Sequence, residues 1–388
     1  MTYSNAIVVG GGIGGLAVAT AMARRGIAVT LLEQTPRITE VGAGLQISPN
    51  GLAVLRALGL MTQLQGLGAV RGRAVVLKDY PDGRQVARLD LMRLRPDQQY
   101  LFMHRADLVR ALGSAAKRQG VTVELDAQVA SIRPGETPQV QMTDGTTRRA
   151  HLVVAADGIH SVARPVLNGA DAAEFTGQVA WRAMVPNEVG HLPEAQVHMG
   201  PGRHLVSYPL REGTLVNLVA VEERPAWAAE GWHHSDDPEN LRAAFAQFGG
   251  SVPEMLARVD KVSLWGLHKH PVAARWWGEN IALMGDAAHP TLPFLAQGAN
   301  LALEDAWALA ASVSGQNAPG LAAYQRAREK RVRRVIAAAD GNAWRYHLPP
   351  GPFRRAAHLG LGVASRLLPG RMVGAYDWLY GYDVTKGL

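Results

Sequence analysis

The chain opens with two kinds of apolar run. Ile7–Val9 and Val29–Glu33 are short, β-rich and nearly continuous, the pattern of strands buried on both faces. Leu16–Arg25 is apolar all round at a length that suits a buried helix, and Gly10–Gly15 separates it from the first strand. The order strand, glycine turn, helix, strand is that of a βαβ unit. Ala6–Ala23 approaches the length of a membrane span, but five glycines between Gly10 and Gly15 would weaken a helix badly there. A buried strand, a turn and a buried helix account for the run better.

Helical spacing returns in Gly51–Leu58 and Ala106–Gln119, and Val121–Leu125 and Leu152–Ala155 read as further strands. Between them, Val75–Lys78 and Val86–Leu91 form a hairpin pattern through Pro81-Asp82-Gly83, so the chain leaves the first domain and returns to it. From Gly177 to Leu267 the pattern changes to β-like pieces at Val179–Val185, Gln196–Met199, His204–Pro209, Leu215–Val221 and Val262–Leu267. These predict an antiparallel sheet. Asn280–Met284 then restores a buried strand and Asn300–Ser312 a helix.

The predicted fold is α/β with an α+β second domain. A Rossmann-like dinucleotide-binding domain takes residues 1–72, 98–176 and 276–341, interleaved with an antiparallel-sheet substrate domain from 73–97 and 177–275. Residues 342–388 are a C-terminal helical segment.

With 47% hydrophobic and 19% charged residues the composition is that of a folded protein, and 388 positions suit two domains or one enlarged domain. The absence of cysteine excludes disulfides, thiolate metal sites and thiol redox chemistry. No basic region or cleavage site precedes Ala6, which predicts a cytoplasmic protein without stable membrane insertion. The net charge of +7 suits anions, from nucleic acid to dinucleotides and aromatic carboxylates. Arg326, Arg328, Lys330, Arg331, Arg333 and Arg334 crowd one stretch without interleaved aromatics. That pattern predicts a solvated or subunit-contacting helix face and no nucleic-acid partner. Arg354, Arg355, Arg366 and Arg371 lie among apolar residues, as in helices packed over a domain junction; a membrane-surface helix is the alternative. His289 lacks partners for a metal, and no metal site is expected.

Gly10-x-Gly12-x-x-Gly15, with Gly14 inside it, is the dinucleotide fingerprint. Its glycines allow the turn, the approach of a pyrophosphate and close helix–strand packing, and the helix start supplies N–H groups and a positive dipole end. Glu33 closes the next strand 18 residues after Gly15, where a carboxylate can accept hydrogen bonds from a ribose diol. FAD and NAD both bind in this way. Two later segments narrow the choice: Met284-Gly285-Asp286-Ala287-Ala288-His289-Pro290 follows one buried strand, placing a carboxylate where it could bind a polyol chain. Ala156-Asp157-Gly158-Ile159-His160-Ser161, with Arg164 three residues on, follows another.

In the order and spacing of these three segments the chain resembles the single-component FAD-dependent aromatic hydroxylases, among them the salicylate, 3-hydroxybenzoate 6- and 6-hydroxynicotinate 3-hydroxylases. The resemblance runs from Ile7 to Trp378-Leu379-Tyr380-Gly381-Tyr382-Asp383. It implies an FAD-binding domain, NADH or NADPH as a transient cosubstrate, and oxygen insertion into a small hydroxylated aromatic or heteroaromatic carboxylate through a flavin C4a-hydroperoxide. A monomer or homodimer is expected. It also implies that Asp286 bonds the ribityl chain, that Asp157 supports flavin and NAD(P)H contacts, that Arg105 reaches the cofactor, and that Val129 meets adenine through its backbone. Gly42–Asn50 matches the segment beneath the isoalloxazine, with Gln46 where some relatives carry histidine.

Hydroxylation of a phenol needs a base near its hydroxyl and a dry pocket. His204 and Tyr208 lie four residues apart in one strand and so share a face. Histidine has the pKa range of a base, tyrosine can orient it or the substrate, and the family resemblance strengthens both roles. Gln297 resembles a substrate-site glutamine, and Gly285, Gly298 and Ala299 would contact flavin through backbone. Trp181-Arg182 could offer a ring face and a cation to an aromatic carboxylate, or a domain-bridging arginine. Trp227, Trp232, Trp276 and Trp277 read as packing. A flavin halogenase would need a Trp-x-Trp-x-Ile-Pro run that is absent here, and a disulfide reductase would need cysteine. The alternatives are a flavoprotein monooxygenase acting on an isoprenoid or polycyclic substrate, or a non-catalytic flavin-binding regulatory protein.

Overall fold

Ala6–Val9 offers no polar side chain to either face, and the strand Asn5–Val9 accordingly lies inside a sheet in this computed structural model, which describes residues 3–38, 44–224 and 234–387. The sheet has six strands in the order Trp277–Gly278, Ile281–Leu283, Leu152–Ala155, Asn5–Val9, Ala28–Leu32, Thr122–Glu124. All pairings are parallel except the first, which is antiparallel. Helix Ile13–Ala23 covers it, with Leu16 to Met22 all buried. It starts three residues before the predicted Leu16, because Gly14 and Gly15 serve as contact surface within the helix. A Cβ at Gly14 would come 3.2 Å from Met284 and 3.4 Å from Ala302.

The chain leaves Asn5–Val9 toward Ala28–Leu32 on one side and later adds Leu152–Ala155 on the other. Strand order therefore reverses between Val9 and Ala155, the place where open α/β sheets bind ligands beyond their strand ends.

The second large sheet has eight strands, in the order Ser235–Asp236, Val262–Lys269, Glu174–Pro186, Leu215–Glu223, Arg203–Leu210, Glu194–Gly200, Ala74–Asp79, Gln85–Asp90. The expectation of a purely antiparallel sheet is corrected at one junction. Glu194–Gly200 runs parallel to Ala74–Asp79, because the hairpin joins this sheet after a long excursion of the chain between them. Period-2 alternation gives the sheet two different faces. The outer face buries Trp181, Leu205 and Leu218 against Phe245 and Leu256 of the short helices at 238–257. Each such side chain stabilises the fold by about 1.5–3 kcal/mol. The inner face carries His204, Val206 and Tyr208, with Ala180, Val221 and Trp265 packed around Phe294.

Two further expectations change. Trp181 and Arg182 do not work together: Trp181 points into the outer core and donates Nε1–H to Asp236 at 2.7 Å, while Arg182 points to the opposite face, 5.1 Å from the Trp265 ring. Adjacent strand residues have no other choice. The arginine-rich stretch is not uniformly solvated. It lies in helix Leu321–Tyr346, where Arg328 and Arg331 turn inward to Glu304 and Asp305, whereas Arg333 pairs with Glu329 on the outside. That helix also runs through Asn342 without a break. Helix Pro352–Leu367 follows, tied to the hairpin by Ser365 Oγ on the Arg88 backbone at 2.8 Å and 3.1 Å and by an ion pair of Arg354 with Asp79. Among the described residues no helix is long and apolar enough to cross a membrane. Gly42, Ala43, Trp227 and Trp232 lie outside the described residues.

Candidate active site

Gly10 has φ +101°, which only glycine adopts readily, and a Cβ there would meet the Ala156 carbonyl oxygen at 2.5 Å. A Cβ at Gly15 would be driven into the Gly10 carbonyl oxygen. Gly12 caps the helix without any side-chain bond, and no acidic residue stands in the first turn, so the helix start keeps N–H groups and dipole for an anion. Glu33 reaches back over this turn, accepting from Gly11 N at 2.6 Å and from Thr35 N at 3.0 Å. Val129 begins a strand beside it, next to Ala127, whose N–H bonds the Glu33 carbonyl at 2.9 Å.

Asp157 and Asp286 follow neighbouring strands. Asp157 accepts from Val162 N at 2.9 Å through Oδ2, while its buried Oδ1 has no partner, and burial pushes its carboxyl up. Gly285 has φ +56°. Asp286 is reachable by solvent, yet protein surrounds it closely enough that burial raises its carboxyl, opposed by His289 and Arg105. Arg105, the first residue of helix Arg105–Arg118, feels burial most and then the Asp286 charge. Arg164 braces the two strand ends: its guanidinium bonds the carbonyls of Ala287 at 3.2 Å and Ala288 at 3.1 Å, and its Nε pairs with Asp171 at 2.6 Å. The uncapped helix, the glycine cradle and the orphaned Asp157 oxygen fit a dinucleotide cofactor of the FAD type.

Beneath the second helix start lies a polar network that local pattern does not reveal. Gln297 caps helix Gly298–Val313; its Nε2 donates to Ser48 Oγ at 3.0 Å and its Oε1 accepts from Asn50 Nδ2 at 3.1 Å. Both ends of its amide are thus engaged within the protein. Asn50 also donates to Glu304 at 2.6 Å, and Asn300 bonds the Gln46 carbonyl at 3.1 Å and Ser48 N at 3.0 Å. Gln46 Oε1 accepts from Tyr100 at 2.8 Å. Glu304 and Asp305 are fully buried against Arg328; burial alone would raise Asp305, but His289 and Arg328 hold it down at about 2. His289 is a core residue, 2.6 Å from Asp305, with its ring tilted against that of Trp276 at 4.9 Å between centres. Gly298 and Ala299 form the first turn above this network.

The inner sheet face approaches the cradle through Arg182, whose pKa falls to about 10 through burial first, with Tyr208 opposing and Arg105 adding to the fall. Tyr208 packs on Phe102 at 5.4 Å between ring centres, and burial pushes its hydroxyl up, so it stays protonated. His204 does not bond Tyr208. Its Nδ1 lies 2.7 Å from Nε2 of His347, a residue supplied by the end of helix Leu321–Tyr346 and not singled out by the sequence. Rings of Phe294 and Tyr346 stand 5.8 Å and 5.2 Å away, and burial holds the imidazole well below its usual range.

A family profile described as an FAD binding domain matches residues 3–339. The sequence is 35% identical to a 3-amino-4-hydroxybenzoate 2-monooxygenase of Streptomyces platensis, over 97% of this chain and 96% of that relative. It is 33% identical to a 3-hydroxybenzoate 6-hydroxylase of Polaromonas naphthalenivorans, over 98% and 97%. The solved structure of a Klebsiella pneumoniae HpxO variant complexed with FAD superposes with a TM-score of 0.84 at 26% identity, covering 97% of this chain and 98% of that one. A match that runs through the cradle, both aspartate segments and the inner sheet face places the chain in the FAD binding domain family, among its FAD-dependent aromatic hydroxylases.

Proposed function

We propose that this monooxygenase hydroxylates a small phenolic carboxylate, of the 3-amino-4-hydroxybenzoate or 3-hydroxybenzoate type, held between the FAD cradle and the inner sheet face. The observation that carries this reading is the convergence of His204, Tyr208 and Arg182 on that one face, with Arg182 coupled to Arg105 and Arg105 to Asp286. The redox and oxygen-transfer chemistry would be supplied by FAD held there, with NAD(P)H as reductant and O2 as the source of the oxygen atom. Gly10, Gly12 and Gly15 would admit its pyrophosphate and Gly14 would keep the helix close. Glu33 would hold a ribose, Val129 the adenine edge, Asp157 and Asp286 the central part, and Gly285, Gly298, Ala299 and Gln46 the flavin end.

In the same reading His204 takes the substrate hydroxyl proton at Nε2, because a phenolate ring is far more nucleophilic than a phenol. Tyr208, protonated at neutral pH, donates a hydrogen bond to the oxygen that becomes negative, and Arg182 and Arg105 supply the field for the carboxylate. Gln297 positions the helix start through Ser48 and Asn50. Phe294 and Val206 exclude water. Residues 73–97 and 177–275 supply the substrate side and the cytoplasm is the compartment that supplies NAD(P)H.

The test is a panel of hydroxybenzoates, aminohydroxybenzoates and hydroxypyridine carboxylates, scored by product mass and by H2O2 release. A hydroxylated product formed with NADH or NADPH is expected. Consumption of NAD(P)H that yields only H2O2 across the whole panel sinks the substrate class.

A further inference from the structure

The inner face holds a base that is cut off from water on its own side. His204 is 2% exposed and sits among Phe294 and Tyr346. Its Nδ1 meets His347 Nε2 at 2.7 Å, and His347 Nδ1 meets Glu223 Oε1 at 2.7 Å. His347 is 6% exposed, whereas the Glu223 side chain is 53% exposed. The three groups belong to three separate elements, strand Arg203–Leu210, the cap of helix Leu321–Tyr346 and the end of strand Leu215–Glu223. Backbone bonds clamp the same three pieces together: Gly202 N donates to the His347 carbonyl at 3.3 Å and Glu223 N to the Gly202 carbonyl at 2.8 Å.

We propose that His204, His347 and Glu223 form a proton path that carries the substrate's hydroxyl proton out to solvent and returns one when the product regains its phenol. The path rests on the reading of His204 as the base. The bonds balance at each station. The substrate O–H breaks as His204 Nε2 gains that proton; Nδ1–H of His204 passes to Nε2 of His347; Nδ1–H of His347 passes to Glu223, which releases it to water. Restoring the product hydroxyl runs the same transfers backward and resets both rings without a flip.

Three physical points favour a path over a plain core tie. Burial makes an imidazolium costly at His204, so a proton taken there is unstable unless it moves on. Burial also disfavours charge on His347, with Glu223 opposing, which suits a station through which protons pass. The last group is the accessible one. A tie whose only purpose was packing would gain nothing from a carboxylate at the surface, where a single pair stabilises by about 1 kcal/mol or less.

The test uses FAD-loaded protein and two readouts other than turnover. In protein labelled with 15N-histidine and free of substrate, both rings are expected as neutral Nδ1–H tautomers; a His347 ring carrying its proton on Nε2 overturns the path. In rapid mixing with 3-amino-4-hydroxybenzoate, growth of the phenolate band reports ionisation, and flavin perturbation reports affinity. His347→Gln and Glu223→Gln are expected to bind the probe as tightly as the parent but to ionise it about tenfold more slowly or worse, with added imidazole restoring the rate in His347→Ala. Parental ionisation rates in both variants, beside a His204→Gln variant that cannot ionise the probe, overturn the path and leave the base in place. Parental rates in His204→Gln overturn the base itself.

Discussion

The glycine cradle and the inner sheet face, the two halves of the proposed site, are built by opposite constructions. The cradle is nearly contiguous: Gly10, Gly15 and Glu33 lie within one βαβ unit, and the backbone itself forms the binding surface. The face is assembled, since His204 meets His347, 143 residues later, and the neighbouring helix cap at Gln297 is tied to Ser48 and Asn50. A contiguous site is vulnerable at its own backbone atoms. An assembled one is vulnerable wherever its distant supports are anchored.

The sharpest way to separate the two is to damage each alone. His204→Ala should lower hydroxylation by about 10²- to 10⁴-fold while FAD stays bound, measured as coupled product formation against flavin content. Loss of FAD in that variant would erase the distinction between the two regions. Arg328→Ala strikes the support shared by both. Asp305 would be left buried without its guanidinium and Glu304 with Arg331 alone, at a cost of about 3–5 kcal/mol in denaturant unfolding. Parental stability would mean that the network relaxes instead.

Gly15→Ala presses a methyl group into the Gly10 carbonyl and should weaken FAD binding by about 1–3 kcal/mol, roughly 5- to 150-fold in dissociation constant. Substrate ionisation in the fraction that retains FAD should survive. Acid lability should belong to the sheet. Burial holds His198 at about 3, against about 6.5 in an unfolded chain, so the unfolded state alone gains a proton between those values. Stability is then full above pH 6.5 and falls with acidification by up to about 1.4 kcal/mol per pH unit. His198→Leu should flatten that slope, and an unchanged slope would move the cause elsewhere. Tyr208→Phe is the mildest change, expected to cost about 1 kcal/mol and to appear in kcat/KM, with kcat falling as the oxygen that gains charge loses its donor.

The same contrast explains what could be read in advance. The βαβ unit, the aspartate segments and most strands were legible because periodicity and glycine placement are local. Helix Ile13–Ala23 started early because tertiary contact overrode the reluctance of Gly14 and Gly15. Trp181 and Arg182 went to opposite faces by the alternation that made the strand readable. The spacing of His204 and Tyr208 put both on one face, where they lie, but it did not reveal His347, since no local pattern links a strand to a helix cap. Gln297 was visible as a helix start, while its partners Ser48 and Asn50 came from far along the chain. Arginines at 328 and 331 looked like surface charge because their acids stand on a different helix.

That inward turn changes how the chain's charge meets the outside. Glu304 and Asp305 cancel Arg328 and Arg331 internally, so the excess of +7 is carried by the remaining residues, most of them at the surface. The nicotinamide dinucleotide and aromatic acid proposed as reactants are both anions, and both would meet a positive long-range field before touching any residue of the proposed site. Encounter should therefore slow as ionic strength rises, even where every contact in the site is unchanged.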